Sequence, residues 1–224
     1  MTPWQNTLRT LEVDRLKPVF GGDELAAHEQ DARRELRGDR AYRRTPTRRT
    51  LIDARQAANA VAHVGRLPAP GETIHMVCSG GYSLYHHIPA VLELAAPATI
   101  RYLGVCTLGF SKDNLERLIG LLDGGQIGTL DFLYSVYFKS NEREICERLA
   151  HELGSRGQRV LSMRTHCKLL LIELGDRRDC YVIESSANLR SCKNVEQSTF
   201  TNDRALLDFH RQWLNEIFTQ EAAT

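Results

Sequence analysis

The sequence predicts an α/β fold, a mixed β-sheet flanked by helices on both faces, and three observations carry that expectation. Short apolar runs alternate with helical patterns from Thr50 onward, close-spaced strands follow Arg159, and the chain closes on a stretch with helical periodicity. A chain of 224 residues, 42% hydrophobic and 25% charged, suits one sizeable domain with an appendage.

Residues 1–49 differ in character from the remainder. Trp4, Leu8 and Leu11 recur at helical spacing, Gly21-Gly22 interrupts, and an arginine-rich stretch follows that includes Arg43, Arg44, Arg48 and Arg49. This segment reads as an N-terminal arm or helical extension. It is either a solvated surface, its arginines diluted by Asp31, Glu35 and Asp39, or a grip on a nucleic-acid backbone.

Residues 50–224 form the predicted main domain. Thr50 and Asp53 mark a helix start, and Gly65 with Pro68 and Pro70 marks its end after Val64. Thr73 to Cys78 and Thr99 to Val105 read as strands around a helix from Tyr82 to Leu94. Asn114 to Leu122 reads as a helix, Leu130 to Phe138 as a strand, and Glu142 to Leu153 as a helix. Three strands then follow, Arg159 to Met163, His166 to Glu173 and Cys180 to Glu184, with a polar hairpin turn at Gly175–Arg178. Val195 to Phe200 gives the last strand. Asn202 or Asp203 caps a helix whose Leu206, Phe209, Trp213 and Ile217 fall on one stripe.

Composition bounds the function classes. With 29 basic and 28 acidic residues the net charge is +1, so any attraction for an anionic partner has to be local. No apolar run approaches the roughly 20 residues that span a bilayer, and the N-terminus lacks a signal-peptide core; the expectation is a cytoplasmic protein without a membrane partner. Six cysteines show no C-x-x-C pair, and His86-His87 are adjacent rather than at ligand spacing, so free thiols and no metal or other cofactor are expected.

The informative stretch runs from Arg164 to Gln197. On a strand, alternation puts His166 and Lys168 on one face, a nucleophile beside a fixed cation. Ser186 and Asn188 share the same period, offering a hydroxyl and an amide to one space. With eight histidines and five lysines in the chain, a chance H-x-K is expected about 0.2 times, so the pair gains weight only from the S-x-N that follows and from Glu196 on the next strand. Ser79, Gly80 and Gly81 sit between a strand and a helix, where backbone amides suit a phosphate, although such turns more often serve packing.

This constellation resembles the HKD motif of the phospholipase D superfamily: a histidine, one residue, a lysine, four residues, an aspartate, then a Gly-Ser-x-Asn turn. His166, Lys168, Ser186 and Asn188 match, while Glu173 stands where the family has aspartate and Ser185 where it has glycine. The resemblance implies a phospholipase D-like α-β-α sandwich and, from the single copy of the motif, a homodimer in the manner of the superfamily's small bacterial endonucleases. It further implies a metal-independent phosphodiesterase in which one His166 attacks phosphorus and the symmetry-related His166 protonates the leaving oxygen. Lys168, Asn188 and Ser186 would stabilise the phosphate charge, with Ser185 and the Ser79–Gly81 turn as further substrate contacts. Glu196 would accept a hydrogen bond from the far ring nitrogen of His166. A nuclease acting on DNA or RNA is the leading expectation. A catalytically weakened nucleic-acid-binding or scaffolding dimer and a phospholipid phosphodiesterase or phosphatidyltransferase remain as alternatives.

Overall fold

The computed structural model describes residues 48–175, 179–190 and 193–222, with side chains from 52 to 220. Arg43 and Arg44 lie outside the described residues, and of Arg48 and Arg49 only the backbone is described.

Helix α1 (Arg48–Val64) leads into β1 (Thr73–Ser79), a short 3-10 turn (Leu84–His86) and α2 (His87–Leu94). There follow β2 (Ile100–Thr107), α3 (Lys112–Asp123), β3 (Ile127–Ser135), α4 (Val136–Asn141), α5 (Arg143–Gly154) and β4 (Arg159–Met163). The chain continues through β5 (Leu169–Leu174), β6 (Cys180–Ser185), β7 (Val195–Thr201) and α6 (Arg204–Ala222). The predicted alternation is thus observed. Gly65 ends α1 in the left-handed region at φ 69°, where only glycine avoids a Cβ penalty.

The seven strands form one mixed sheet in the order β1-β7-β6-β5-β2-β3-β4. Strands β2, β3 and β4 pair in parallel, while β5 is antiparallel to β2 and β6, and β7 to β6 and β1. Five strands therefore run one way and only β5 and β7 run the other. The carboxyl ends of β1, β2, β3, β4 and β6 consequently meet the amino ends of β5 and β7 at one edge of the molecule, where open α/β sheets collect ligands.

Both faces are covered. The larger core, with Leu84, Ile88, Leu103, Phe110, Leu118, Phe132, Leu149, Leu170, Ile172 and Phe200, lies on the side of α2, α3 and α5. The smaller core gathers Tyr102, Leu133, Leu169, Leu171 and Val182 beneath Leu207, Leu214 and Phe218 of α6. Strand β5 is buried along its whole length because its residues alternate between these two cores. On the α6 face, Val77 and Val195 remain exposed at the β1–β7 margin, 65% and 69% respectively.

Four expectations need correction. The strand over Leu130 to Phe138 stops at Ser135, and Val136 to Phe138 begin α4, because Ser135 adopts an extended cap conformation and its hydroxyl accepts from Tyr137 N. The helix from Tyr82 is replaced at its start by the 3-10 turn, with Ser83 and His86 hydrogen-bonded to each other. The strand from His166 starts only at Leu169, where pairing with Cys106 and Glu184 begins. The stripe on α6 is centred on Leu207, Leu214 and Phe218, and Phe209 is 61% exposed on the opposite side. The β5–β6 hairpin is present, closed by Leu174 N to Asp179 O at 3.2 Å, while residues 176–178 of its turn lie outside the described residues.

Candidate active site

The histidine and lysine sit in an extended segment between β4 and β5, not on the strand itself. They still meet. Lys168 Nζ lies 3.0 Å from His166 Nδ1 and donates to His166 O at 2.9 Å. The lysine is held at the sheet edge because its own carbonyl accepts from Ser185 N at 3.0 Å, just beyond the β5–β6 ladder. Burial lowers the pKa of the Lys168 ammonium from its ordinary value, and the neighbouring Glu196 carboxylate opposes the shift.

The serine turn is built from β6 and β7. Ser186 N donates to Gln197 O at 3.0 Å, Gln197 N donates back to Ser186 Oγ at 3.0 Å, and the Ser186 hydroxyl donates to a Glu196 carboxylate oxygen. This mutual lock fixes the hydroxyl beside the carboxylate that acts on Lys168. Glu196 had been expected to orient His166. In the structure its carboxylate accepts from the Ser186 hydroxyl and interacts by charge with Lys168.

Ser185 takes the place of glycine without cost to the backbone. No non-glycine residue among those described has a positive φ, and the Ser185 hydroxyl is turned inward, donating to Gln197 O at 3.0 Å, 2.7 Å from Ser198 Oγ, and accepting from Ala187 N at 3.0 Å. Its chemistry is that of a turn support.

Asn188 ties this turn to the other loops at the same edge. Its Oδ1 accepts from Leu108 N at 3.2 Å and its carbonyl accepts from Leu84 N at 3.2 Å. That orientation leaves the amide nitrogen as the donor side of the group. The next residue is fastened just as firmly: Leu189 N donates to Thr107 Oγ1 at 3.3 Å and Leu189 O accepts from Asn114 Nδ2 at 2.7 Å.

Ser79 ends β1 opposite Val195, with Cys78 opposite Glu196, so the Ser79–Gly81 turn leaves the sheet beside the start of β7. Gly80 adopts φ 72° there, and Gly81 O accepts from Asn59 Nδ2 at 3.3 Å. The turn shares the site edge.

Glu173 lies at the opposite end of β5, paired across from Cys180 and Tyr102. It is buried among Arg101, Arg204 and Arg211, so this position of the motif is a structural ion cluster remote from His166 along the strand.

Sequence reasoning missed the cleft beside the histidine. A cavity of about 680 Å³ is lined by Leu108, Ser135, Val136, Tyr137, Ser140, Arg164, Thr165 and His166. It exists because β3 and β4 end side by side, Ser135 opposite Met163, so α4 and the Arg164–His166 segment leave the sheet as neighbours. The signal was present in Tyr137 beside Phe138, but only the fold shows one ring buried and the other 69% exposed.

Among the described residues, no cluster of three or more His, Cys, Asp or Glu side chains is placed to hold a metal ion, and no helix is long and apolar enough to cross a membrane. The described cysteines are free, with Cys106, Cys146 and Cys180 buried and Cys167 exposed between His166 and Lys168.

No family model and no curated protein matches the sequence. Among the solved structures that are similar to the chain are the following three. The polyphosphate kinase of Porphyromonas gingivalis is 16% identical, with a TM-score of 0.46 over 68% of this chain and 25% of that one. The phosphatidylserine synthase of Haemophilus influenzae is 15% identical, with a TM-score of 0.46 over 66% of this chain and 38% of that one. This chain thus spans well under half the length of either. The third is Nuc from Salmonella typhimurium, described as a phospholipase D family member, 15% identical with a TM-score of 0.46 over 66% of this chain and 96% of that one.

Proposed function

We propose that this protein is a metal-independent phosphodiesterase, a nuclease acting on DNA or RNA, whose site is completed by a second copy of the chain. The observation that carries the reading is the convergence at one sheet edge of an imidazole, an ammonium 3.0 Å from it, a hydroxyl and a carboxylate. A phosphodiester carries one negative charge, and Lys168 and the amide of Asn188 are donors suited to its non-bridging oxygens, which the Ser186 hydroxyl joins on leaving Glu196.

The chemistry follows from the donors. His166 attacks phosphorus, a P–N bond forms as the P–O bond to the leaving group breaks, and His166 of the partner subunit supplies the proton that the leaving oxygen takes up. Water then attacks the phosphohistidine, giving its proton back to that partner imidazole and releasing the phosphomonoester. Lys168 sets the starting geometry: while its ammonium donates to Nδ1, that nitrogen presents its lone pair to the lysine and the ring proton sits on Nε2. An incoming phosphate competes for the ammonium and frees the Nδ1 lone pair of the attacking ring, while the partner subunit's imidazole serves as the acid in its doubly protonated form.

The test is cleavage of single- and double-stranded DNA and RNA in excess EDTA. Cleavage should persist, and His166→Ala should reduce it about 1,000-fold or more. Activity that appears only on adding magnesium, or that survives His166→Ala, overturns the reading.

A further inference from the structure

We propose that the cleft beside His166 seats an unpaired nucleobase, with Tyr137 as its stacking platform, so that the protein acts on strands whose bases are free at the point of cleavage. This rests on the phosphodiesterase reading and narrows its substrate class.

Helix α4 presents Tyr137 to the cleft. The Ser135 hydroxyl accepts from Tyr137 N at 3.2 Å, and the adjacent Phe138 is buried against Phe110 with ring centroids 4.8 Å apart. A Cβ at Gly109 would come within 2.6 Å of the Phe138 ring, so glycine at that position lets α4 settle this deeply. One aromatic ring therefore anchors the turn while its neighbour is held outward, 69% exposed, on the wall of a cavity that His166 also lines. An exposed aromatic ring on a fixed backbone is suited to stacking, because it gives contact area at little entropic cost.

The remaining wall shows what would lie on that ring. Leu108 and Val136 add apolar surface, Ser140 and Thr165 add hydroxyls, and exposed Arg164 adds a cation two residues before His166. A flat, polar-edged ring attached to an anion matches both halves of this lining. The volume of about 680 Å³ falls within the range of ligand pockets, roughly 300–1,000 Å³. In a paired duplex the bases are stacked inside and reach such a seat only by being flipped out.

The experiment measures binding of labelled single-stranded oligonucleotides by fluorescence anisotropy. One has every base, and the other has abasic sugars around the central phosphodiester. Tyr137→Ala should weaken the base-bearing strand about ten-fold and the abasic strand less than two-fold, and Tyr137→Phe should restore the difference, since stacking needs the ring and not the hydroxyl. Equal loss on both strands, no loss on either, or a change in sedimentation showing that Tyr137 is a contact between subunits overturns the base seat. Cleavage by the same protein is scored separately with His166→Ala. Failure of catalysis with Tyr137-dependent binding intact would sink the hydrolytic reading and leave the seat standing.

Discussion

At Glu173 three guanidinium groups converge on one carboxylate, Arg101 at 2.5 Å, Arg204 at 2.6 Å and Arg211 at 3.0 Å. Burial pushes the Glu173 carboxyl upward, but the Arg204 hydrogen bond and the Arg101 charge outweigh it, and the net pKa lies below the ordinary 4.5. A lowered native pKa contributes stability above the unfolded value, and that contribution is lost as pH falls through the native one. Glu173→Gln should therefore cost about 2–4 kcal/mol near neutral pH, at or below the usual range for breaking a buried pair because the arginines are partly exposed and can turn to water. Urea midpoints should show the gap to wild type shrinking as pH falls below 4.5. A gap constant with pH would assign the effect to packing instead. Spacing alone placed Glu173 in the motif. Nothing in the spacing shows that arginines from β2 and α6 would meet there.

Elements set by local chemistry were legible. Asp203 was one of two candidate caps for the last helix, and its carboxylate accepts from Leu206 N at 3.1 Å. Asp203→Ala should cost about 1 kcal/mol through loss of the cap and of a negative charge at a helix N-terminus. The corresponding fall in Tm is about 2–4 °C for a chain this size. An unchanged Tm would mean that packing of Leu207, Leu214 and Phe218 alone fixes where the helix begins. Elements set by competition were less legible. Val136, Tyr137 and Phe138 have strand-forming side chains, yet the Ser135 cap and burial of Phe138 make them helix, an outcome that propensity does not register. His166 and Lys168 were expected on one face of a strand. They share a site although the ladder begins after them, because Lys168 O is tied to Ser185 N.

For the whole molecule the decisive feature is direction. Two strands of seven are reversed, and that reversal brings segments as far apart in the chain as Ser79 and Glu196 to one edge. One copy of the chain supplies one His166, and the proposed chemistry uses two, so activity should depend on pairing. After subunit exchange, an equal mixture of wild type and His166→Ala should retain roughly a quarter of the activity of the same amount of unmixed protein, because only pairs with both imidazoles work. Retention of a half would show that each chain acts alone. By itself the sequence determined the α/β class and most element positions, and it supplied His166, Lys168, Ser186 and Asn188 as the proposed site residues, since periodicity, caps and short motifs are local and survive in one dimension. The tertiary structure decided that Glu196 meets Ser186, that Glu173 is an ion-pair hub and that Tyr137 stands open beside His166. Those contacts are set by strand order and register, which bring together residues whose spacing along the chain carries no trace of it.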